Sequence, residues 1–402
     1  MPLHVACVRQ YEIISPEHVI ESETFTAIWV AVKSRFFCCR TNCNDTAAAL
    51  LQHCYRRETF AGLALPPVKA ANERRLFYMI YNVLILLTGF AALIKGADLF
   101  VDGSSALARK FKIPGLVIGL TIVAFGTSAP ELAVSTSAAL QGANEIALSN
   151  VVGSNIFNLL GVLGVCAVIH PVPVASGIRR RDFPFSVIVT VAVFLLSGII
   201  PLLSVQTIQT DMAAQAGTVS RIEGIAIIAL FLAYTVYLIA DAKKHPEEEK
   251  SAHNMPLWKC LLWICIGLAF IIGGGQMVVY SAKEIARVAG MTETLIGLTI
   301  VAVGTSLPEL VTSVVAARKG ETGMAFGNVI GSNIFNLLFI LGVSAVIHPV
   351  RVNLASVYDL GILIVVSILT YLFSLSSKTL KRWEGIAMVL LYIAYVVFAA
   401  VR

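Results

Sequence analysis

The sequence predicts an all-α polytopic membrane protein with ten transmembrane helices, arranged as two inverted five-helix repeats. Two observations support this fold class: an apolar composition and an internal duplication. Of 402 residues, 57% are hydrophobic and 13% charged, against about 45–50% apolar and about 25% charged in a soluble domain. This composition excludes a soluble enzyme. The net charge of +6 is scattered between apolar runs, so nucleic acid is not an expected partner.

Apolar segments of membrane-spanning length recur from Met79 onward. A helix needs about 20 such residues to cross a bilayer, and ten segments satisfy this requirement. They run over residues 79–101, 114–140, 145–169, 183–203, 221–240, 257–281, 294–317, 323–347, 356–375 and 383–401. They predict a membrane repeat at 79–240, a cytoplasmic linker at 241–256 and a second membrane repeat at 257–402. Membrane lipid is therefore an expected partner.

Residues 1–78 differ from the rest of the chain. They lack a long apolar run, the apolar core of a signal peptide and a regular helical or strand period. No fold is assigned to them. Two interpretations stay open: an extension from an upstream start site, since Met79 could itself begin a membrane protein, or a poorly ordered cytoplasmic or regulatory tail.

An internal duplication is the most informative feature of the sequence. The segment Gly119–Pro171 matches Gly297–Pro349 without a gap at an offset of 178, and 35 of 53 positions are identical. A second echo relates RIEGIA at Arg221 to RWEGIA at Arg382. Each copy holds five predicted spans, and an odd number forces the second copy to insert upside down. Inverted repeats of this kind are typical of secondary transporters, with a site where the repeats meet at mid-membrane.

The distribution of basic residues supports this topology. If the first span starts outside, most Lys and Arg residues of the loops lie inside, as the positive-inside rule requires. The inner loops then carry Arg109, Lys110, Lys112, Arg179, Arg180, Arg181, Lys243, Lys244, Lys250, Arg318, Lys319, Lys378, Lys381 and Arg382. The nine basic residues of 1–78 would lie outside, against the rule. We expect a multi-pass protein of the plasma membrane, which is the inner membrane in a bacterium.

Two glutamates, Glu131 and Glu309, occupy identical positions of the two copies, in GTSAPEL and GTSLPEL. A charged side chain at the centre of a membrane helix costs about 2.5–3.5 kcal/mol on insertion scales, so it normally has a partner or a function. No Lys or Arg within the same predicted spans could pair with them. The alternative is a pair of glutamates kept neutral or hydrogen-bonded for packing.

A proline precedes each glutamate and removes the N–H that would bond the carbonyl four residues earlier. Those carbonyls belong to Gly126 and Gly304. Thr127 and Thr305 stand four residues before the glutamates and are expected on the same helical face. Carboxylate, hydroxyl and carbonyl oxygens would thus cluster. Hard cations such as Ca²⁺ take about six to eight oxygen ligands, and we expect Na⁺ to accept the same atoms.

The second repeated motif, GSNIFNLL, starts at Gly153 and again at Gly331. Its first serine and second asparagine are four residues apart, so they project from one helical face and offer neutral oxygens. These residues are Ser154 and Asn158 in the first copy, and Ser332 and Asn336 in the second. The alternative for the motif is hydrogen bonding between closely packed helices, which small residues favour.

Two further asparagines of the first copy have an equivalent asparagine in the second copy. Asn155 and Asn333 lie a quarter turn from the serine–asparagine face, where both ligation and a hydrogen bond between helices are open. Asn150 and Asn328 are expected to cap or break the backbone near the glycines. Neither pair is among the predicted ligands.

The paired motifs GTSAPE with GSNIFN and GTSLPE with GSNIFN resemble the two alpha repeats of the sodium/calcium exchanger membrane region. This region belongs to the calcium/cation antiporter superfamily, and the resemblance is to its small bacterial members in particular. It covers about residues 79–402 and implies ten transmembrane helices around a central group of cation sites. The ligands implied by motif position are Glu131, Glu309, Thr127, Ser128, Thr305, Ser306, Ser154, Asn158, Ser332 and Asn336. Some relatives have aspartate where Asn336 stands, so this chain offers two acidic ligands and not three.

The sequence predicts a secondary active cation antiporter and not an enzyme. Two glutamates in a low-dielectric pocket repel each other unless Ca²⁺, several Na⁺ or protons neutralise them, and mutually exclusive occupancy is what exchange requires. We expect exchange of Ca²⁺ for Na⁺ by alternating access, with no cofactor besides the transported cations. Ca²⁺/H⁺ exchange is the alternative. A cation channel and an intramembrane hydrolase fit less well, because a channel needs no inverted duplication and the repeated sites hold no His, Cys or Asp.

Overall fold

The computed structural model describes residues 68–199, 215–244, 255–291, 302–376 and 378–401. Every side chain discussed below belongs to the unit Leu76–Arg402. Residues 1–67, most of the segment to which no fold was assigned, lie outside the described residues. The described chain is helical apart from short strands and connections, as predicted.

The helices of the first half are defined by their bounds as follows. They are α1 (Val68–Phe111), α2 (Gly115–Thr127), α3 (Ala129–Leu140), α4 (Glu145–Ile169), α5 (Phe183–Phe194) and α6 (Arg221–Lys244). Two strands flank α5 along the chain, β1 (Val172–Pro173) and β2 (Gln215–Val219). A π-helical turn lies on each side of α5, at Ile178–Asp182 and Leu195–Ile199.

The second half has corresponding elements. They are α7 (Leu257–Val288), α8 (Ala302–Thr305), α9 (Leu307–Arg318), α10 (Thr322–Ile347), β3 (Val350–Asn353), α11 (Leu354–Ser376), β4 (Thr379–Leu380) and α12 (Arg382–Val401). Each predicted span from 79–101 to 383–401 therefore coincides at least in part with described helix.

Seven described helices are long and apolar enough to cross a membrane, namely α1 from Phe77 onward, α4, α6, α7, α10, α11 and α12. The pair α2 and α3 is an eighth candidate, bent by 50° at its break. The two other predicted spans, 183–203 and 294–317, extend beyond the described ranges. The number ten therefore stays a prediction.

Helices α4 and α10 form the centre of the molecule. In their most apolar stretches, 78% of the residues are buried, compared with 17% in α1 and α12. These two central helices carry the GSNIFN motifs, and each contains a π-helical turn, at Phe157–Val162 and Asn336–Ile340. Such turns inside α-helices are frequent at functional sites. Both place the second asparagine of the motif in a locally widened helix.

The two halves pair crosswise. Strand β1 pairs antiparallel with β4, and β2 pairs antiparallel with β3. The end of α4 packs on α12, while the end of α10 packs on α6. The end of the duplicated block in one copy, and the strand that follows this block, therefore contact the last part of the other copy.

The glycines and the glutamates of the second repeated segment, RIEGIA and RWEGIA, have structural roles. Its glycines allow backbones to touch, because a Cβ atom at Gly385 would lie 2.6 Å from the Gly164 carbonyl oxygen and one at Gly224 would lie 2.9 Å from the Gly342 carbonyl oxygen. Its glutamates cap helices: Glu223 Oε2 accepts the Ser220 N–H and Glu384 Oε2 accepts the Lys381 N–H, each at 2.7 Å. Capping carboxylates satisfy N–H groups that the first turn leaves unpaired.

Candidate cation site

Both repeated glutamates lie immediately after a break in the helix. Helix α2 ends at Thr127 and α3 begins at Ala129, and α8 and α9 are separated in the same way by Ser306. Each proline lies in the first turn of the new helix, where its missing N–H costs nothing. The sequence predicted that each proline frees a carbonyl within one continuous helix. In the structure, the proline belongs instead to the first turn of a new helix.

Glu131 and Glu309 are fully buried, with 0% of each residue exposed. They occupy the first turns of α3 and α9. The N-terminal end of a helix carries a partial positive charge and unpaired N–H groups, which favour an anion there. The helix breaks thus create two places in an apolar protein where a carboxylate is tolerated.

Each glutamate is bound by a serine from the other copy of the repeat. Ser128 Oγ donates to Glu309 Oε1 at 2.7 Å, and Ser306 Oγ donates to Glu131 Oε1 at 2.8 Å. Ser154 Oγ in α4 makes a longer bond of 3.5 Å to Glu131 Oε1. The two copies therefore build one shared centre.

Thr127 does not lie on a common helical face with Glu131, because the helix breaks between them. Its hydroxyl donates to Asn328 Oδ1 in α10 at 3.0 Å. Thr305 ends α8 at the equivalent position. The expectation that Thr127 and Glu131 share one helical face is therefore wrong.

Gly126 and Gly304 lie in the last turns before the two breaks. A Cβ atom at Gly126 would lie 3.1 Å from Phe100 Cζ, and one at Gly304 would lie 2.3 Å from Val279 Cγ2. These glycines let α1 and α7 approach the broken helices closely. Close packing thus favours glycine at both positions, a role that the sequence pattern did not indicate.

Asn150 and Asn328 connect helices and do not cap them. Asn150 Nδ2 donates to Ser135 Oγ at 2.9 Å and to the carbonyl of Glu131 at 3.3 Å. Asn328 Nδ2 donates in the same way to Ser313 Oγ at 2.9 Å and to the carbonyl of Glu309 at 3.4 Å. Both asparagines lie inside continuous helices, so the expectation that they cap or break the backbone was wrong. The duplication was the available signal for these serines, since they too stand 178 positions apart.

Four asparagines join α4 and α10 between the two glutamate regions. Asn158 Nδ2 donates to Asn333 Oδ1 at 3.1 Å, and Asn336 Nδ2 donates to Asn155 Oδ1 at 3.0 Å. Asn155 and Asn333 also exchange bonds between side chain and backbone, at 3.2 and 3.3 Å. For Asn155 and Asn333, the sequence left open either ligation or a hydrogen bond between helices. In the structure, both residues form hydrogen bonds between α4 and α10.

Five buried oxygens of this centre have no hydrogen-bond partner within the described ranges. They are Glu131 Oε2, Glu309 Oε2, Asn158 Oδ1, Asn336 Oδ1 and Ser332 Oγ. Buried polar atoms are normally paired, so a cluster of unpaired oxygens has the donor chemistry of a site for a hard cation. In the described part of the chain, no group of three or more His, Cys, Asp and Glu side chains is placed so that it could hold a metal ion. A cation here would depend on two carboxylates supplemented by neutral oxygens.

The family profile described as sodium/calcium exchanger protein matches residues 81–240 and 259–401. The chain belongs to the sodium/calcium exchanger family. This membership confirms the resemblance predicted from the paired motifs. The protein is therefore a multi-pass integral membrane protein of an antiporter family.

Several relatives of this chain are matched over nearly their full length. The putative antiporter CaxA of Alkalimonas amylolytica is 36% identical over 329 residues, which cover 79% of this chain and 98% of CaxA. The sodium/calcium exchanger MaX1 of Methanosarcina acetivorans is 32% identical over 341 residues, covering 79% of this chain and 97% of MaX1. A solved structure of the sodium-calcium exchanger NCX_Mj, soaked with Na⁺ and Sr²⁺, is similar with a TM-score of 0.67 and 31% identity, covering 79% of this chain and 98% of NCX_Mj.

Proposed function

We propose that this exchanger-family protein exchanges Ca²⁺ for Na⁺ across the plasma membrane, at one site built around Glu131 and Glu309. One observation carries the proposal: each buried carboxylate is held through one oxygen by a serine of the other copy, while its second oxygen has no hydrogen-bond partner among the described residues. The proposed ligand region comprises Glu131, Glu309, Thr127, Ser128, Thr305, Ser306, Ser154, Asn158, Ser332, Asn336, Gly126 and Gly304.

The charge of the site suits exclusive occupancy. Two ionised carboxylates in a dry interior are costly, and one Ca²⁺ neutralises both of them. Several Na⁺ ions do the same with smaller charge per ion. Since both kinds of ion need the oxygens of Glu131 and Glu309, binding of one displaces the other, and this competition is the basis of antiport.

The crosswise serine bonds offer a route to alternating access. Because Ser128 binds Glu309 and Ser306 binds Glu131, a relative movement of the two copies alters the surroundings of both carboxylates together. Rocking of one repeat against the other around a fixed site is the usual mechanism of inverted-repeat transporters. We include in the proposal ten spans in two inverted repeats, at 79–240 and 257–402, joined by a cytoplasmic linker at 241–256.

Ca²⁺/H⁺ exchange is the second candidate. The observation that favours it is the presence of amides, and not carboxylates, at Asn158 and Asn336. With two acidic groups, two protons discharge the site as fully as one Ca²⁺ does. The name of the relative MaX1 favours Na⁺ as the coupling ion.

Proteoliposomes that contain the purified protein distinguish the two candidates. One batch is loaded with Na⁺ and another with an acidic, Na⁺-free buffer, and uptake of radioactive Ca²⁺ is measured after dilution into neutral, Na⁺-free medium. We expect rapid uptake only in the Na⁺-loaded batch, abolished by an ionophore that collapses the Na⁺ gradient. Uptake driven only by the proton gradient would establish the second candidate, and the absence of uptake in both batches would contradict antiport of Ca²⁺.

A further inference from the structure

We propose that Asn155 and Asn333 are positioning residues that fix the amide orientation of two cation ligands. In this view, Asn333 orients Asn158 and Asn155 orients Asn336, so that each ligand presents its carbonyl oxygen, and not its NH₂ group, to the cation. The inference rests on the proposed function and assigns a role to two residues that do not contact the ion.

The argument begins at a backbone carbonyl, which can only accept hydrogen bonds. Asn333 Nδ2 donates to the carbonyl of Asn155 at 3.3 Å. If the amide of Asn333 were reversed, its Oδ1 would face that carbonyl, and two acceptors would be in contact. The carbonyl therefore fixes which end of the Asn333 amide is the acceptor.

The orientation of Asn158 follows from that of Asn333. Since Asn333 Oδ1 faces Asn158, Asn158 must offer its Nδ2, and the two atoms are 3.1 Å apart. Asn158 Oδ1 then lies on the opposite side of the amide, buried and without a hydrogen-bond partner within the described ranges. A carbonyl oxygen in this state is prepared to bind a cation.

The same donor and acceptor argument applies to Asn155 and Asn336. Asn155 Nδ2 donates to the carbonyl of Asn333 at 3.2 Å, so Asn155 Oδ1 must be the acceptor. Asn336 Nδ2 donates to that oxygen at 3.0 Å, and Asn336 Oδ1 is left buried and unpaired within the described ranges. Two independent chains of bonds thus reach the same outcome.

The orienting residue always lies on the partner helix of the ligand that it orients. Asn333 is in α10 and its ligand Asn158 is in α4, while Asn155 is in α4 and Asn336 is in α10. A free amide could turn its N–H hydrogens toward the ion and repel it. Each central helix therefore prevents this reversal in the other.

A double-mutant cycle tests the assignment through the Kd for Ca²⁺ of the purified full-length protein, measured by calorimetry. We expect Asn333→Ala to raise the Kd about 10- to 100-fold, the usual cost of losing a residue that orients a metal ligand. In an Asn158→Asp background, the same change should leave the Kd unchanged or lower it. A carboxylate has no NH₂ group to misplace, and Asn333 Oδ1 would there face a second acceptor.

The mirrored cycle uses Asn155→Ala with and without Asn336→Asp, and it answers the question if Asn333→Ala does not fold. The matched control is Asn82→Ala. Asn82 is a buried asparagine of α1 whose Nδ2 donates to the Tyr78 carbonyl of its own helix at 2.9 Å. We expect this control to leave the Kd unchanged.

The outcomes separate the two levels of the proposal. An equal rise in Kd with and without the aspartate would mean that Asn333 and Asn155 serve only packing, and would overturn the orientation role. A wild-type protein that binds no Ca²⁺ would contradict the proposed function itself. The expected result is a rise in Kd in the wild-type background and no rise in the aspartate background.

Discussion

Ser128 donates a hydrogen bond of 2.7 Å to Glu309, which lies 181 positions later in the other copy of the repeat. Ser306 makes the reciprocal bond of 2.8 Å to Glu131. In the sequence, each serine stands three residues before the glutamate of its own copy, yet it binds the glutamate of the other. Neither copy alone supplies both partners of either bond.

We predict that Ser128→Ala and Ser306→Ala each weaken Ca²⁺ transport by a similar factor. Loss of a hydrogen bond to a charged group costs about 1.5–3 kcal/mol, which corresponds to a rise of about 10- to 100-fold in the KM for Ca²⁺. The KM is measured by initial uptake into proteoliposomes. The control is Ser104→Ala, which removes a buried α1 hydroxyl that has no hydrogen-bond partner within the described ranges. Equal effects of Ser104→Ala and Ser128→Ala would contradict a specific role of the crosswise bond.

The duplication allowed the sequence to name residues that the structure brings together, but not how they pair. Glu131, Glu309, Ser128 and Ser306 could be named because a carboxylate in an apolar span repeats at a fixed offset. The bonds between them join residues 175 and 181 positions apart, and these bonds depend on how α3 and α9 pack, which no local pattern encodes.

Two expectations about single residues, Thr127 and Asn150, were wrong. A continuous helix would place Thr127 on the face of Glu131, whereas the chain bends by 50° and a new helix begins at Ala129, with Pro130 in its first turn. Asn150 was expected to cap or break the backbone near the glycines, but it lies inside the continuous helix α4. Its partner Ser135 lies on a neighbouring helix, and nothing in the spacing of the two residues indicates this contact.

Replacement of Asn336 by aspartate should change the ions that are coupled while the fold is retained. Asn336 is fully buried and donates to Asn155 of α4, and aspartate has nearly the same shape. A third carboxylate should bind an additional Na⁺ or proton for each Ca²⁺. The charge moved per Ca²⁺, measured from the reversal potential of uptake, should shift by one elementary charge. An unchanged reversal potential in active protein would show that position 336 lies outside the cation site.

The inverted topology predicts opposite sides for two loops of the first copy. The loop of Arg179–Arg181 should be cytoplasmic and the loop of residues 141–144 external. Single cysteines at Arg180 and Gln141, introduced into a cysteine-free variant, should react with an impermeant maleimide from opposite sides of the membrane. Reaction of both from one side would remove the argument for inverted repeats.

Residues 76–402 should be sufficient for transport. The family match begins at residue 81, and the contacts of the candidate site among the described residues lie within Leu76–Arg402. The deletion should end at Arg75 and not at Tyr78, because Tyr78 Oη donates to Glu284 Oε2 at 2.7 Å and joins α1 to α7. We expect uptake rates equal to those of the full chain. A truncated protein that inserts normally but does not transport would assign a function to the N-terminal segment.

The central claim is that the negative charges of Glu131 and Glu309 bind the transported cation. Its most direct test is Na⁺-driven uptake of radioactive Ca²⁺ by Glu131→Gln and Glu309→Gln proteins, with Glu145→Gln as the control because Glu145 is an exposed glutamate outside the site. Glutamine keeps the shape and one oxygen but removes the charge that offsets dehydration of the ion. The account predicts that uptake is abolished or reduced at least about 100-fold in both site variants and unchanged in the control. Full uptake by either site variant, in protein that inserts normally, would contradict it.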